Sequence, residues 1–543
     1  MASGSQLQDT AGGRRRETRQ ALLVLGVIFF LHVGLFYRPS GWLYDPSMYY
    51  AYIRSPVIDG DLLFWNEAEP KGFWAEVPPS PTGMCPNVWS LGPALLWTPF
   101  FLLGHGATLL ANWTGIASLP ADGYSTLYTT FTGVASAFYG FLGVLLIYRF
   151  LRRHQPHPVA LLAAATVWMA TPVFFYMYHM SFYAHSVSMF SAALFVDLWD
   201  ATRGQWHGWR YVALGLAAGL MALMRWQNIL LLVLPLFELA AEAWSRLRRG
   251  EGRGSLARSS LGRLGLLAVA ALIVFSPQMV MWQVLYGQPF TIPQGEGFMQ
   301  WSRPHLWGVL FSSNRGLFWW EPLAALGLLG LFLLFRRRPL LSGGFLLVIA
   351  LQVYVNSIAG RWWGGGGFGP RRFDMLAPIL AWGLAGLIGL AWQRGLWLKM
   401  ICVAGSVLLF AHQLALIRMV YSETMPSDLY MAGEPIPWAV FAEAFSRIFR
   451  QPGQLLAWPF FAPAPFFDLY HALFGSIAPV DLGRSLLALA VALAGLAAVY
   501  AGWLLLDRRL SVWRRFRPVA LRVGGALLVL AIAGVDAGIL VLA

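Results

Sequence analysis

The sequence predicts an all-α polytopic membrane protein with a bundle of about 13 transmembrane helices. Hydrophobic residue types make up 58% of its 543 residues, whereas Asp, Glu, Lys and Arg together reach 12%, about half the share found in soluble proteins. Apolar stretches of membrane-spanning length recur along the chain, and short arginine-rich runs separate them. A soluble enzyme is excluded, because one core could not bury this much apolar surface.

The formal net charge of +14 is explained by membrane topology rather than by nucleic acid binding. The arginines lie in short runs between apolar segments, as the loop charges that orient a membrane protein do. Cys85 and Cys402 are far apart in sequence, so neither a disulfide framework nor a cysteine-based metal site is predicted. We therefore expect no nucleic acid among the partners.

The first predicted element is a transmembrane helix with a cytoplasmic N-terminus. An arginine-rich run at 13–19 precedes the apolar stretch 20–37, and such flanking charge is typical of a helix that starts inside the cell. No small-residue cleavage site follows, so a retained anchor is expected rather than a removable signal peptide. Residues 1–19 are accordingly assigned to a basic cytoplasmic N-terminus.

The remaining elements are apolar segments of helical length, and one of them is not expected to cross. If all crossed, the arginines at 149–153 would lie outside, against the positive-inside rule. The segment 91–112 is rich in glycine and proline, so it is predicted to lie along, or re-enter, the exterior interface. The other segments are predicted spans: 125–149, 157–177, 184–201, 209–225, 227–245, 264–287, 317–335, 340–359, 374–392, 396–418, 483–506 and 518–541.

This topology divides the chain into a transmembrane module at 20–418, where the functional residues are expected, and two C-terminal helices within 483–543. The exterior stretches are 38–124, 288–316, 360–373 and 419–482, and function is expected there. The last stretch is aromatic and proline-rich, which indicates interfacial helices or a loop over the site. Nearly all basic residues are arginine rather than lysine, which is typical of a GC-rich bacterial genome, so we expect a bacterial inner membrane. The active site is then expected on the periplasmic face, where the long exterior stretches lie.

Asp45, just past the first helix, is the candidate catalytic base. The aromatic spacing of Tyr49, Tyr52 and Ile53 predicts a short helix packed on the bilayer surface. In a partly desolvated cleft an aspartate can accept a proton from a hydroxyl nucleophile. The alternative role is a helix N-cap, which Asp forms well, and the two interpretations carry about equal weight.

Asp59 and Asp61 flank Gly60 in the same loop and form a candidate metal site. Two carboxylates across a glycine can share a divalent cation. Asp and Gly are also the usual residues of a turn, and that interpretation is favoured by roughly two to one. No metal is required by the sequence, and a divalent metal at these two carboxylates stays an open alternative.

A glycine-rich stretch before the segment 374–392 is the candidate phosphate site. Four successive glycines at 364–367 allow backbone N–H groups to approach an anion, and Arg371 and Arg372 offer forked donors that match phosphate oxygens. Arginines are disfavoured on the exterior face, so phosphate binding is preferred over a topological role by roughly two to one. Trp362 and Trp363 are candidates for substrate contact or for an interfacial aromatic belt.

Further polar residues fall at the exterior ends of predicted spans. His185, Arg225 and Arg315 can each be explained as a cap or a snorkelling side chain, but they share one side of the membrane. The sequence contains no P-loop, nucleophile elbow or His-Glu-x-x-His motif, which argues against nucleotide hydrolysis.

Taken in order, these segments resemble the polytopic GT-C glycosyltransferases, in particular glycosyltransferase family 39 with the protein mannosyltransferases and the lipid A aminoarabinose transferase. Members have a first exterior loop that opens with an aspartate, usually Asp-Glu, followed by an interfacial helix and a later Gly-Asp. Asp45, the stretch 49–54 and Gly60-Asp61 occupy that pattern, with Pro46 in place of the glutamate. The segment 90–97 is similar to the interfacial helix before the second span.

The resemblance implies a GT-C-type bundle that moves a sugar from a polyprenyl-phosphate donor to an acceptor hydroxyl. Asp45 would be the general base and the reaction would invert the anomeric carbon. The donor phosphate would be met by a set of exterior arginines, and membrane lipid would surround its tail. The implied phosphate ligands are Arg371, Arg372, Arg225 and Arg315, and the implied substrate contacts are Tyr49, Arg54, Asp61, His185, Trp362 and Trp363.

Two hypotheses from other classes compete with the transferase. A transporter or flippase of a lipid-linked anionic substrate could also use exterior arginines and a glycine-broken helix, although the polar residues cluster on one side and no repeat is visible. A non-catalytic scaffold would tolerate loss of Asp45. The sequence leaves open the sugar, the acceptor (lipid, polysaccharide or protein) and the oligomeric state.

Overall fold

The protein is helical throughout the part of the chain that the structure describes, so the predicted all-α membrane fold is confirmed. Its computed structural model describes residues 11–37, 44–68, 78–421, 425–450 and 530–542. Over these ranges no strand forms, and Met299 and Ala359 make an isolated bridge. Some predicted features lie outside the described residues, namely 1–10, 451–482, the span 483–506 and 518–529.

The first half of the bundle contains ten helices. Their bounds are α1 Ala11–Phe36, α2 Tyr44–Arg54, α3 Trp65–Ala68, α4 Gly92–Trp113, α5 Thr126–Arg152, α6 His157–Met169, α7 Val173–Tyr178, α8 His185–Ala201, α9 Gly208–Met224 and α10 Val233–Arg248. A π-helical turn, Ser55–Asp59, continues α2, and a 3₁₀ turn, Trp226–Leu232, leads into α10.

The second half begins with the longest helix. The bounds are α11 Arg253–Tyr286, α12 Leu306–Phe311, α13 Leu317–Trp320, α14 Pro322–Phe335, α15 Pro339–Ser357, α16 Ala377–Trp392, α17 Leu396–Tyr421, α18 Ser427–Ala432, α19 Trp438–Arg450 and α20 Leu530–Leu542. A 3₁₀ turn, Arg371–Leu376, leads into α16. Among the described residues, eight helices are long and apolar enough to cross a membrane, so the predicted count of about 13 stays a prediction.

The helix α4 is long enough to span a membrane. A Cβ on Gly92 would meet the backbone of Leu223, at the last turn of α9. A Cβ on Gly104 would lie 3.0 Å from the carbonyl oxygen of Leu127, in the first turn of α5, and Phe100 packs against Phe138 in the middle of α5. The course of this segment along the exterior face therefore stays a prediction.

Close helix contacts depend on glycine. Glycines of α14 and α16 face each other, and a Cβ on Gly330 or Gly383 would overlap the backbone of the opposite helix. Small residues at such positions let membrane helices approach closely. Within a bilayer the hydrophobic effect does not drive helices together, so van der Waals contacts between them supply the stabilisation. On the neighbouring pair, Gly215 and Gly219 of α9 give the same close approach to α11.

We expect Gly383→Ala to lower the melting temperature, because the added methyl group must displace backbone atoms of Gly327. Overpacking of this kind costs about 1–3 kcal/mol. The matched control is Gly405→Ala in α17, whose Cβ would have nothing within 4 Å. That substitution should be neutral or stabilising, because Ala favours helix over Gly by about 1 kcal/mol. Thermal unfolding in detergent measures both, and equal melting temperatures would contradict the prediction.

Several predicted spans are interrupted near Asp45. The span 157–177 breaks between α6 and α7, and 317–335 breaks at Glu321, between α13 and α14. The spans 227–245 and 374–392 both start in 3₁₀ turns. Irregular backbone at membrane depth is tolerated where it lines a protein cavity, and these breaks surround the site described next.

Candidate active site

A cavity of about 500 Å³ lies at the end of the bundle that carries Asp45. The first turn of α2 forms one wall and the 3₁₀ turns before α10 and α16 form the opposite walls. We call it the Asp45 cavity. The predicted site residues that line it are Asp45, Tyr49, His185, Arg225, Arg371 and Arg372.

Asp45 pairs with Arg371 across the cavity. The Arg371 Nη1 atom donates to Oδ2 of Asp45 at 2.8 Å, and both side chains are less than 20% exposed. The other carboxylate oxygen, Oδ1, has no hydrogen-bond partner among the described residues. One oxygen of the candidate base is therefore held in place, and the other is available to a bound hydroxyl.

The glycine-rich stretch positions Arg371. Its Nε and Nη2 atoms donate to the carbonyl oxygen of Gly364 at 3.0 and 2.6 Å. Gly364 has a φ of +86°, a conformation that side chains rarely allow. A Cβ on Gly367 would lie 2.5 Å from Nε of Arg371, so the loop backbone and the guanidinium group can approach only because glycine stands there.

A buried network anchors Arg225 at the other side of the cavity. Nδ1 of His185 lies 2.7 Å from Oδ2 of Asp374, which also accepts from Arg225 Nη1 at 3.1 Å. Ser188 donates to Oδ1 of the same carboxylate at 3.0 Å, and Asn228 donates to Ser188 at 2.9 Å. His185 is thus brought into the site as part of the support for Arg225.

Arg372 is fixed through its backbone and leaves its guanidinium group without an acid partner. The amides of Gln227 and Gln352 donate to its carbonyl oxygen at 2.8 and 2.7 Å. Its Nη1 atom is buried and has no hydrogen-bond acceptor among the described residues. A buried guanidinium donor without an acceptor is costly, and an anionic ligand would satisfy it.

Tyr49 lines the cavity one turn along α2 from Asp45. Its ring packs against those of Trp89 and Trp97 at centroid distances of 6.2 and 6.3 Å. Burial raises the pKa of Tyr49 to about 12, with the nearby carboxylate of Asp45 adding to the shift and Arg225 opposing it. The hydroxyl therefore stays protonated at neutral pH and can act only as a neutral hydrogen-bonding group.

The remaining loop residues lie outside the Asp45 cavity. Arg54 pairs with Asp59 and, at 2.9 Å, with Glu67, and its Nε donates to the carbonyl oxygen of Asp122 at 2.9 Å. Burial raises the pKa of Glu67, and the Arg54 guanidinium opposes this shift. Arg54 therefore links three parts of the first loop. In this structure it holds the loop together and does not line the cavity where a substrate contact was predicted.

Asp59 and Asp61 bind separate protein donors. Asp59 also accepts from Asn66 at 2.8 Å, whereas Asp61 accepts from the Ser55 hydroxyl at 2.6 Å and from the Leu63 N–H at 3.1 Å. Asp61 does not line the cavity. Among the described residues no group of three or more His, Cys, Asp or Glu side chains is arranged to hold a metal ion. This geometry favours the turn interpretation of the motif.

Arg315 lies behind the glycine-rich stretch rather than in the Asp45 cavity. It adopts a φ of +62°, which is uncommon for a residue other than glycine. Its Nε donates to the Gly367 carbonyl at 2.8 Å, and its guanidinium group lies 3.5 Å from the centroid of the Tyr430 ring. Arg315 therefore braces the loop that carries Arg371.

Trp362 and Trp363 face a different groove. They line an open space of about 580 Å³ together with Trp307 and Glu434. The indole Nε1 of Trp363 donates to the carbonyl oxygen of Met431 at 3.1 Å. The segment 425–436 thus covers the glycine-rich stretch, as expected for the described part of the exterior stretch 419–482.

Three residues near the site were not assigned from the sequence. Asp374 lies two residues after the paired arginines and Asn356 lies in the last turn of α15, so each stood at the polar edge of an apolar segment. Glu321 is buried at the break before α14 and lines a narrow space with His185 and Asp374. An acidic residue inside an otherwise apolar run is the signal that could have identified it.

An apolar groove adjoins the Asp45 cavity between α9, the 3₁₀ turn before α10, α11 and the loop that follows α11. Its volume is about 400 Å³. Trp226, Ile229 and Gln294 line both spaces, so the two spaces are adjacent. The other walls are mainly hydrophobic: Gly219, Ala222, Ala271, Leu272, Phe275 and Trp282 of the helices, and residues 290–293 of the loop.

No protein-family profile and no curated protein sequence matches the chain. Comparison with solved structures finds similar chains of low sequence identity. ArnT from Cupriavidus metallidurans bound to undecaprenyl phosphate is similar with a TM-score of 0.48 and 16% identity, over 86% of this chain and 77% of that one.

Two structures of the Archaeoglobus fulgidus oligosaccharyltransferase are also similar. AglB in complex with an inhibitory peptide and a dolichol-phosphate has a TM-score of 0.43 and 13% identity, over 86% of this chain and 60% of that one. The apo form has a TM-score of 0.42 and 12% identity, over 85% and 60%. These likenesses are low in identity and in superposition, so the function proposed below rests on the side chains of the Asp45 cavity.

Proposed function

We propose that the protein is a membrane glycosyltransferase that moves a sugar from a polyprenyl-phosphate donor to an acceptor hydroxyl. The observation that carries this proposal is the junction of two spaces. A polar cavity with a carboxylate and three arginines adjoins an apolar groove beside the long apolar helix α11. A ligand that fits both has an anionic head and a long hydrocarbon tail.

The arginines suit the phosphate of such a donor. Arg225 and Arg371 are each paired with a carboxylate, whereas Arg372 has no acidic partner among the described residues. The three guanidinium groups therefore leave an excess of positive charge in the cavity. Donors fixed in place before the reaction stabilise charge that develops on a leaving phosphate, so the proposed chemistry does not require a metal ion.

Asp45 is placed to act as the general base. The acceptor hydroxyl would give its proton to Oδ1 of Asp45 as its oxygen bonds to the anomeric carbon. The bond between that carbon and the phosphate oxygen breaks, and its electron pair leaves with the polyprenyl phosphate. Attack from the side opposite the leaving group inverts the anomeric carbon. Arg371 holds the carboxylate in position during this step.

A transporter or flippase is the alternative. A carrier requires polar binding groups near the middle of the membrane, between two gates. In this chain the charged residues of the site gather at one end of the bundle, around Asp45 and the breaks before α10, α14 and α16. This one-sided arrangement favours the transferase.

The proposed course of the lipid tail can be tested with Leu272→Trp. Leu272 lines the apolar groove, and a larger side chain there would displace part of the hydrocarbon chain. Loss of two buried methylene groups weakens binding about tenfold. The matched control is Leu266→Trp on the same helix, which is similarly exposed and lies outside the groove.

Binding of long-chain and two-isoprene polyprenyl phosphates to the purified protein in nanodiscs gives the readout. We expect Leu272→Trp to weaken binding of the long-chain lipid and to leave the short one unchanged, and Leu266→Trp to change neither. Equal affinity of wild type and Leu272→Trp for the long chain would remove the groove from the proposed site.

A further inference from the structure

A much smaller cavity adjoins the Asp45 cavity. It has a volume of about 10 Å³, enough for one water molecule or one monatomic ion. Asn356, Arg371 and Arg372 line both spaces, and Arg315 lines the small one only. Val309, Trp362 and Phe373 contribute apolar or aromatic walls. We call this space the rear cavity.

Hydrogen-bond donors without acceptors surround the rear cavity. Nη2 of Arg315, Nη1 of Arg372 and Nδ2 of Asn356 are all buried and have no partner among the described residues. The two guanidinium nitrogens can only donate, so at least two of the three groups are donors whichever way the Asn356 amide is turned. Leaving one such donor unsatisfied costs about 1–3 kcal/mol, and more when it is charged.

The charges around the rear cavity are equally one-sided. Three guanidinium groups line it, and within the described part of the chain no carboxylate does. Asp45 pairs with Arg371 and Asp374 pairs with Arg225, so neither carboxylate neutralises Arg315 or Arg372. The Arg315 guanidinium group also donates to the carbonyl oxygens of Gly367 and Tyr430, so its charge is held beside this space without a carboxylate.

We propose that the rear cavity binds one monovalent anion of halide size, such as chloride. A single anion accepts hydrogen bonds from all the unsatisfied donors and offsets their charge. A water molecule would bring two hydrogens of its own and would leave the positive charge of the lining arginines without an anion. The bound anion holds Arg315 and Arg372 in place behind the Asp45 cavity. Arg372 lines both cavities, so this inference shares that residue with the proposed donor site, but its tests need no transferase activity.

Thermal unfolding of the purified protein in nanodiscs tests the inference. The probes are sodium chloride and sodium bromide, compared with sodium gluconate at equal ionic strength, because gluconate is too large for the cavity. A ligand that binds only the folded state raises the melting temperature by mass action. We expect a saturable rise of a few degrees with either halide. Identical melting curves in gluconate and in the halides would show water only and overturn the proposal.

The Asn356→Asp variant supplies a second test, in which the response of the melting temperature to halide should disappear. The new carboxylate would itself provide the negative charge in the rear cavity. In gluconate, the variant should therefore melt at the temperature of wild type in chloride. Its melting temperature should no longer change with halide. Asn356→Asp that keeps the full halide response would overturn the proposal. Should that variant fail to fold, bromide-soaked wild-type crystals decide: an anomalous peak between Arg315 and Arg372 is expected, and its absence contradicts the site.

Discussion

The Asp45→Asn variant is expected to lose transfer by about 10²- to 10⁴-fold, the range that a positioned general base contributes. The amide cannot accept the proton of the acceptor hydroxyl. Donor binding should be retained or slightly tighter, because the substitution removes a negative charge near the donor phosphate and frees Arg371 from its ion pair. The measurements are sugar transfer and, separately, binding of the polyprenyl-phosphate donor.

The matched control for this variant is Asp59→Asn in the same loop. Asp59 shares Arg54 with Glu67, so its loss leaves the Arg54 contacts partly intact and should change transfer only slightly. Equal transfer by wild type and Asp45→Asn would return Asp45 to the role of a helix N-terminal residue. Loss of donor binding together with transfer would show a misfolded cavity instead of a missing base.

The second large effect is expected from Arg372→Gln, which should weaken donor binding by about 10- to 150-fold. This range corresponds to the 1.5–3 kcal/mol of a hydrogen bond that involves a charged group. Arg372 is the informative arginine, because its guanidinium group has no acidic partner among the described residues. Replacing Arg371 would also release Asp45 and the Gly364 carbonyl, so its effect would be harder to interpret.

Arg361→Gln is the control for the loss of one positive charge in the same exterior stretch. Arg361 is exposed and does not line the Asp45 cavity, so donor affinity should stay near that of wild type. Equal weakening by both variants would mean that the arginines act only through net charge. Unchanged affinity in Arg372→Gln would remove the phosphate site from the proposal.

The sequence was sufficient to predict the helices and the gathering of the site residues at one end of the bundle. Apolar length and arginine runs identify spans, and the described helices cover the predicted segments from 20–37 to 396–418. The same signals place Asp45, Arg225 and Arg371 at one end of the bundle. They do so because charge is excluded from the hydrocarbon region and gathers at its edges.

The pairings within the site could not be predicted in this way. Asp45 and Arg371 are 326 positions apart, and His185 and Asp374 are 189 apart. Which exterior residues meet depends on helix packing, which hydropathy does not report. For the same reason the sequence did not show that Arg54 and Asp61 are outside the lining of the cavity, or that Trp362 and Trp363 line a neighbouring groove.

The breaks in the helices were also invisible to hydropathy. The run 317–335 scores as one apolar span, yet the chain leaves the helix at Glu321 and buries that carboxylate near His185. Regular helices satisfy their own backbone, so a break is stable only where tertiary contacts replace the lost hydrogen bonds. Such compensation depends on residues distant in sequence.

The most direct test of the central claim is turnover of a panel of polyprenyl-phosphate sugars by the purified wild-type protein in nanodiscs, with flipping of the same lipids measured in proteoliposomes. We expect release of polyprenyl phosphate with an inverted sugar product from at least one donor, and no lipid movement across the bilayer. Lipid movement without release from any donor would contradict the transferase and establish the transporter in its place.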